Sequence, residues 1–288
     1  MKRLFNHEPY KYDDDTLKQV HRGILGAIIG DIVGSRLEFK RNKEYNFELF
    51  TDANDFTDDT VMTIAVADWL TQSETRPVSN DVLPDIMRSW GRKHLLRGYG
   101  RMFHRWLMSD YVVDQRPYNS FGNGAGMRVS ACGFFAKSLD EALHLAKLSA
   151  EVSHNHPKGI KGAQAIASAI FLARQHQPKE NIREYIARQF DYDMDRSCDG
   201  IRPNYDFDVT CQGSCPEAII AFLDSTDFED AIRLAISLGG DSDTIGAMTG
   251  GIAAAYYGIP DKIAHKALDY LPEDMIEVLN KFSDAVNG

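Results

Sequence analysis

Positive charge is in short supply in this chain. Its 288 residues carry 32 Lys+Arg against 42 Asp+Glu, a formal net charge of −10 at pH 7. Proteins that grip a phosphate backbone concentrate Lys and Arg on one face, so this balance argues against nucleic-acid binding. Long apolar runs are missing too: none reaches the roughly 20 residues needed to cross a bilayer, which argues against a membrane partner. The opening Met1-Lys2-Arg3-Leu4-Phe5-Asn6-His7-Glu8 has no apolar core of a signal peptide, so the expectation is a cytoplasmic protein. The four cysteines, Cys132, Cys198, Cys211 and Cys215, include no Cys-x-x-Cys pair. That suits a reducing compartment and argues against zinc. No fixed-period repeat or Pro/Ser/Gly-rich linker divides the chain. Period-2 alternation is nearly absent, and only Tyr45 to Phe50 tempts a strand.

What remains is helical periodicity. Composition is ordinary for a globular protein, with 43% hydrophobic and 26% charged residues. A chain near this length can bury about three quarters of its unfolded surface in one core. The expected organisation is an N-terminal extension over 1–20 and a single domain over 21–288. Asp13-Asp14-Asp15 precedes a helical set at Leu17, Val20, Ile24, Leu25, Ile28 and Ile29. Thr57 can cap a helix carrying Val61, Met62, Ile64, Ala65, Trp69 and Leu70. Further helices are expected over 139–152, 159–175, 216–223, 228–238 and 244–257. The fold class is all-α.

Two acidic clusters stand out, Thr57-Asp58-Asp59-Thr60 and Asp241-Ser242-Asp243-Thr244. Capping accounts for either one alone, because hydroxyls and acids suit a helix N-terminus. Brought together, four carboxylates would need cations, and oxygen donors select Mg²⁺, Mn²⁺ or Ca²⁺. Spacing alone does not say whether they meet. Adjacent Asp58 and Asp59 diverge by about 100° on a helix and so suit different roles. Gly26, Gly30 and Gly34 line one helix face and suit close approach of a second helix. Asp31 and Glu38 interrupt or end that apolar helix. Asn119-Ser120-Phe121-Gly122-Asn123-Gly124-Ala125-Gly126-Met127-Arg128 is Gly-rich and could either cradle a phosphate or form a tight turn. It matches neither a Walker A loop nor GxGxxG. Ser153-His154-Asn155-His156-Pro157 could hold a ligand or metal, or could simply be solvated.

In this order, the segments resemble the ADP-ribosylglycohydrolase family, including the dinitrogenase reductase-activating type, from about Gly23 to about Pro260. Ile29 to Ser35 with Glu38 looks like its first motif, Phe56 to Thr60 its first metal motif and Gly240 to Thr244 its second. The resemblance implies a compact orthogonal multi-helix bundle with a two-metal cleft holding Mg²⁺ or Mn²⁺. The implied metal ligands are Thr57, Asp58, Asp59, Asp241, Asp243 and Thr244. The implied catalytic groups are Glu38, Asp58 and Asp243, with Glu38 as general base or lid residue. The implied substrate contacts are Asp31, Gly98, Tyr99, Gly100, Ser120, Phe121, Gly122, Asn123, Gly124 and His154. Gln212-Gly213-Ser214 looks like a loop near the ligand.

The activity implied is hydrolysis of the N-glycosidic bond of an ADP-ribosylated protein side chain, arginine first. Serine-linked or small-molecule conjugates, a catalytically silent ADP-ribose binder and a phosphoesterase releasing AMP are the alternatives. The extension before the first motif is either a helix cap with a tail or an arm for a partner, as in members resembling immunity proteins against ADP-ribosylating toxins. The acidic stretch from Asp191 to Asp208 reads as a surface insertion without a motif.

Overall fold

Small residues decide where the interior begins. Helix α2 (Arg22–Ser35) is buried all the way from Ile24 to Val33 and apolar there except for Asp31, which marks it as a buried element rather than a surface one. Its partner α13 (Ser242–Tyr257) is buried from Ser242 to Ala254. A Cβ on Gly30 would lie 1.9 Å from the carbonyl oxygen of Gly246, and one on Gly250 would lie 2.1 Å from that of Gly26. Gly34 in turn abuts the backbone of Asp243. The two helices therefore run antiparallel with their backbones nearly touching. This brings the C-terminal end of α2 to the N-terminal end of α13, where both carry acids.

The computed structural model describes residues 10–20, 22–73 and 78–287. The leader reading at Met1 to Glu8 and the first part of the extension lie outside these residues. Around the α2/α13 pair stand α3 (Asp58–Thr71), α6 (Ser130–Phe135), α8 (Pro157–Arg174), α11 (Cys211–Asp224) and α12 (Phe228–Ser237). An outer set comprises α1 (Asp14–Gln19), α4 (Leu83–Lys93), α5 (Arg101–Met108), α7 (Leu139–Glu151), α9 (Lys179–Phe190), α10 (Cys198–Ile201), α14 (Asp261–Leu268) and α15 (Glu273–Asn287). The all-α expectation is borne out: among the described residues there is no strand, only an isolated bridge between Gly122 and Thr210. None of the described helices is long and apolar enough to cross a membrane.

Three local expectations change. The first helix is two helices, because the chain turns extended at Val20 (ψ 144°), which closes α1. Tyr45 to Phe50 is irregular. Its carbonyls bond to arginine side chains instead of a neighbouring strand, Glu48 accepting from Arg36 and Phe47 from Arg233. The stretch Gln212-Gly213-Ser214 is the first turn of α11, not a loop. Thr210 caps that turn by accepting from the amide of Gly213 at 3.2 Å, so the helix begins ahead of Pro216.

Residues 10–20 lie against the body. Lys11 donates its amide to Asp269 (2.8 Å) and its ammonium to the carbonyl of Leu271, while Tyr10 stacks on His265. Asp13 caps α1 by accepting from the amide of Thr16.

Candidate active site

The antiparallel pair fixes a ring of acids at the floor of a cleft of about 330 Å³. Asp31, from α2, is fully buried beneath that floor. Its carboxylate accepts from the amide and hydroxyl of Thr57 (2.9 and 2.7 Å) and from the amide and hydroxyl of Thr60. It therefore anchors the first turn of α3. Thr57 caps α3, its hydroxyl oxygen accepting from the amide of Asp59 at 3.4 Å. Thr244, at the start of α13, donates to Asp59 Oδ2 at 3.2 Å. The two acidic clusters thus meet, as the sequence alone did not reveal.

Within the floor, the carboxylates form two groups whose ligand atoms lie within 4.8 Å of one another. One is Asp31, Asp59 and Asp243; the other is Glu38, Asp241 and Asp243. Asp58 belongs to neither. It lines the cleft beside Gly98, where a Cβ on the glycine would sit 3.3 Å from Asp58 Oδ1. None of the ion pairs among the described residues involves any of these six acids.

Electrostatics follow from that crowding. Burial, then neighbouring carboxylates, push Asp58, Asp59 and Asp243 well above the usual carboxyl range. Burial raises Asp31 and Asp241 as well, against the hydrogen bonds each accepts. Half-buried Glu38 is pushed up to about 7 by burial and by the charges of Asp241 and Asp31. Six acids in one small volume cannot all ionise without a compensating cation. The donor set fits one: all ligand atoms are hard oxygens, and Asp59 Oδ1 is buried with no hydrogen-bond partner.

The wall opposite comes from the Gly-rich segment. Asn123 holds Asp241 through its side-chain amide at 2.7 Å and also donates to Ser214 Oγ at 3.1 Å. Its backbone amide donates to the carbonyl of Val209, which ties this loop to the approach to α11. The amides of Gly122, Asn123, Ala125, Gly126 and Met127 are all bonded within the protein. Besides Asn123, Met127 and Arg128, the segment presents to the cleft the Ser120 hydroxyl and the shallow surface at Gly122 and Gly124, over which His154 lies. Gly98 and Gly100 line the far side. Tyr99 does not; its ring is tilted against Phe103 at 6.0 Å, and burial raises its hydroxyl pKa. Phe121 is 44% exposed beside the cleft, its edge against His156.

Several lining residues escaped the sequence reading, among them Phe103, Tyr118, Phe207 and Val209, while Met127 and Arg128 belong to the Gly-rich segment without having been singled out within it. Arg128 ends the Gly-rich segment and carried a faint signal there. Phe207 comes from the end of the acidic stretch and Val209 directly follows it, so the stretch reaches the cleft at its C-terminal end.

This fold and site define a class. The family model described as ADP-ribosylglycohydrolase matches residues 13–287, and the chain belongs to that family. It is 27% identical to the ADP-ribosylarginine hydrolase Tri1 of Pseudomonas putida (strain GB-1), over 85% of this chain and 72% of that one. With the ADP-ribosylhydrolase ARH3 of Homo sapiens it shares 25% identity, over 83% of this chain and 85% of that one. Among solved structures, an ADP-ribosylglycohydrolase-related protein complex superimposes with a TM-score of 0.71 at 24% identity. That match covers 95% of this chain and 100% of the other, a likeness of fold.

Proposed function

We propose that this protein is a divalent-cation-dependent hydrolase that releases ADP-ribose from a modified protein side chain, arginine being the first acceptor to test. The observation that carries this reading is the uncompensated ring of six buried or half-buried acids at the floor of the cleft. Family membership and the names of the relatives support an ADP-ribosyl conjugate as substrate. Thr57, Asp58, Asp59, Asp241, Asp243 and Thr244 are proposed to hold two ions, Mg²⁺ or Mn²⁺, with Asp31 within reach of one of them. Bound there, such ions would supply positive charge that orients vicinal ribose hydroxyls and makes water more acidic.

The remaining steps belong to the chain's own residues. Positive charge develops at the anomeric carbon as its bond to the acceptor stretches, and the carboxylates around it favour that charge. Glu38, half-buried at the cleft edge with a raised pKa, is proposed as the group that takes the proton of the attacking water. Asn123 holds Asp241, and Asp31 holds Thr57, which pre-positions both groups at the floor of the cleft. Ser120, Gly122, Gly124 and His154 are proposed to seat the diphosphate and adjoining ribose, with Gly98 and Gly100 towards the distal ribose and Phe121 at the adenosine end; Tyr99, turned away against Phe103, is left out of the contact set. A cytoplasmic location and an ADP-ribosylating enzyme or toxin as counterpart belong to the same proposal.

The test is incubation with arginine-ADP-ribosylated and serine-ADP-ribosylated protein in Mg²⁺ or Mn²⁺, with chromatography of the products. Intact ADP-ribose from the arginine conjugate, lost in Asp58→Ala and Asp243→Ala, is the expected result. Release from the serine conjugate alone would move the acceptor to serine. AMP as product would replace the glycosidase with a phosphoesterase.

A further inference from the structure

Behind the Gly-rich wall lies a chain of hydrogen bonds that no step above uses. Arg128 is completely buried. One of its terminal nitrogens donates to the carbonyl of Ser149 (2.7 Å) and to Ser153 Oγ (2.9 Å). Ser153 Oγ in turn lies 2.8 Å from His154 Nδ1, and it too is buried. A guanidinium has donors only, so the serine oxygen must accept from it. The hydroxyl hydrogen is then free to point at its other close neighbour, Nδ1 of the histidine. A ring nitrogen that accepts carries no hydrogen. In that arrangement the neutral imidazole bears its hydrogen on Nε2; the reverse, an Nδ1–H donating to the second lone pair of the serine oxygen, is the alternative that the test below distinguishes.

The ring is neutral for reasons of its own surroundings. Burial first, and the positive charge of Arg128 second, drive its pKa well below the ordinary histidine value. Its Nε2 points over the glycines: a Cβ on Gly124 would come within 3.0 Å of it, and one on Gly122 within 3.5 Å. A side chain at Gly124 would crowd the ring, whereas the distance at Gly122 is an ordinary contact. Nε2 has no hydrogen-bond partner among the described residues. The neighbouring loop amides are mostly spent inside the protein, so this N–H is one of few donors left on that wall.

We propose that Arg128 and Ser153 are positioning residues that lock His154 in its Nε2–H tautomer, making it a neutral donor to a phosphate oxygen of the ligand. A locked N–H cannot ligate a cation, so the same device excludes metal from this side of the cleft. The identity of the ligand as an ADP-ribosyl group rests on the function proposed above; the tautomer does not.

The test joins a spectrum to a binding measurement on the full chain. Long-range ¹H–¹⁵N correlation of the imidazole resonances at neutral pH reads which nitrogen carries the hydrogen. Calorimetry with free ADP-ribose in Mg²⁺ reads affinity. Wild type is expected to show Nε2–H, and Ser153→Ala a mixture of tautomers with affinity about tenfold weaker, the worth of one hydrogen bond. His154→Gln, whose amide can donate from nearly the same place, should stay within about threefold of wild type, whereas His154→Phe should not. The Nδ1–H form in wild type, or a Ser153→Ala variant unchanged in both tautomer and affinity, would overturn the lock. Failure of wild type to bind ADP-ribose would overturn the ligand and the hydrolase reading together, while the spectrum would still decide the tautomer.

Discussion

Two aspartates a few ångströms apart have opposite relations to stability. Asp31 satisfies both oxygens with donors from Thr57 and Thr60. In Asp31→Asn one oxygen becomes an NH₂ group that faces other donors, which outweighs the relief of charge. Loss of about 2 kcal/mol is expected by urea unfolding in EDTA. Asp59 instead leaves one buried oxygen without a partner and sits among like charges. Asp59→Asn should therefore raise the metal-free melting temperature and abolish any rise on adding Mg²⁺ or Mn²⁺. Glu38 adds a pH dependence. Its folded pKa of about 7 exceeds the ordinary 4.5, so between those values the native state holds a proton that the unfolded state has released. In EDTA its contribution thus falls as pH rises from 4.5 to 7, and the urea midpoint should be lower at pH 7.5 than at pH 5. A midpoint that rose over this range would contradict the raised carboxyl pKa. The residue types at positions 31, 38, 58, 59, 241 and 243 announced acid chemistry from the sequence. Which acid carries which burden did not follow from spacing, because it depends on donors from another helix.

At the scale of elements, the glycine stripe of α2 tells how much a pattern can say. Gly26, Gly30 and Gly34 at every fourth position predicted close packing of a helix, and α13 supplies the second surface through Gly246 and Gly250. A Cβ at Gly30 meets backbone, which cannot rotate away. Gly30→Ala should accordingly cost about 3 kcal/mol or more in chemical denaturation and weaken any metal-induced stabilisation, since it separates the helices that carry the acids. Gly100→Ala is the matched control: nothing lies within 4 Å of its Cβ, so a change within about 0.5 kcal/mol is expected. Boundaries were read less well. The pattern joined α1 to α2 because apolar spacing continues across the break, although the backbone turns extended at Val20. Pro216 suggested a helix start, yet Thr210 supplied an earlier cap. Local signals compete, and tertiary partners choose among them.

For the whole molecule, charge is the organising quantity. Two divalent ions would take the formal −10 to about −6, and they would do so where repulsion is concentrated. Saturating Mg²⁺ or Mn²⁺ should raise the melting temperature; an ion present at 100 times its dissociation constant contributes about 2.7 kcal/mol. No shift at saturation would count against the proposed site. The segment ahead of α1 is also part of the fold's energy. Removing residues 1–12 deletes the Lys11 and Tyr12 bonds to Asp269 and Leu271, so a loss of about 1–2 kcal/mol is expected in urea.

By itself the sequence determined the helical class, the two acidic helix starts, the glycine face and the family resemblance. These are encoded locally, in periodicity, capping chemistry and the order of short motifs. Only the tertiary structure decided that the acids converge, since antiparallel packing of α2 and α13 joins residues some two hundred positions apart. It alone placed Asp31 beneath the floor, brought Phe207 and Val209 to the cleft and set Arg128 behind His154. Those relations arise from burial and hydrogen bonds between distant segments, which no spacing along the chain records.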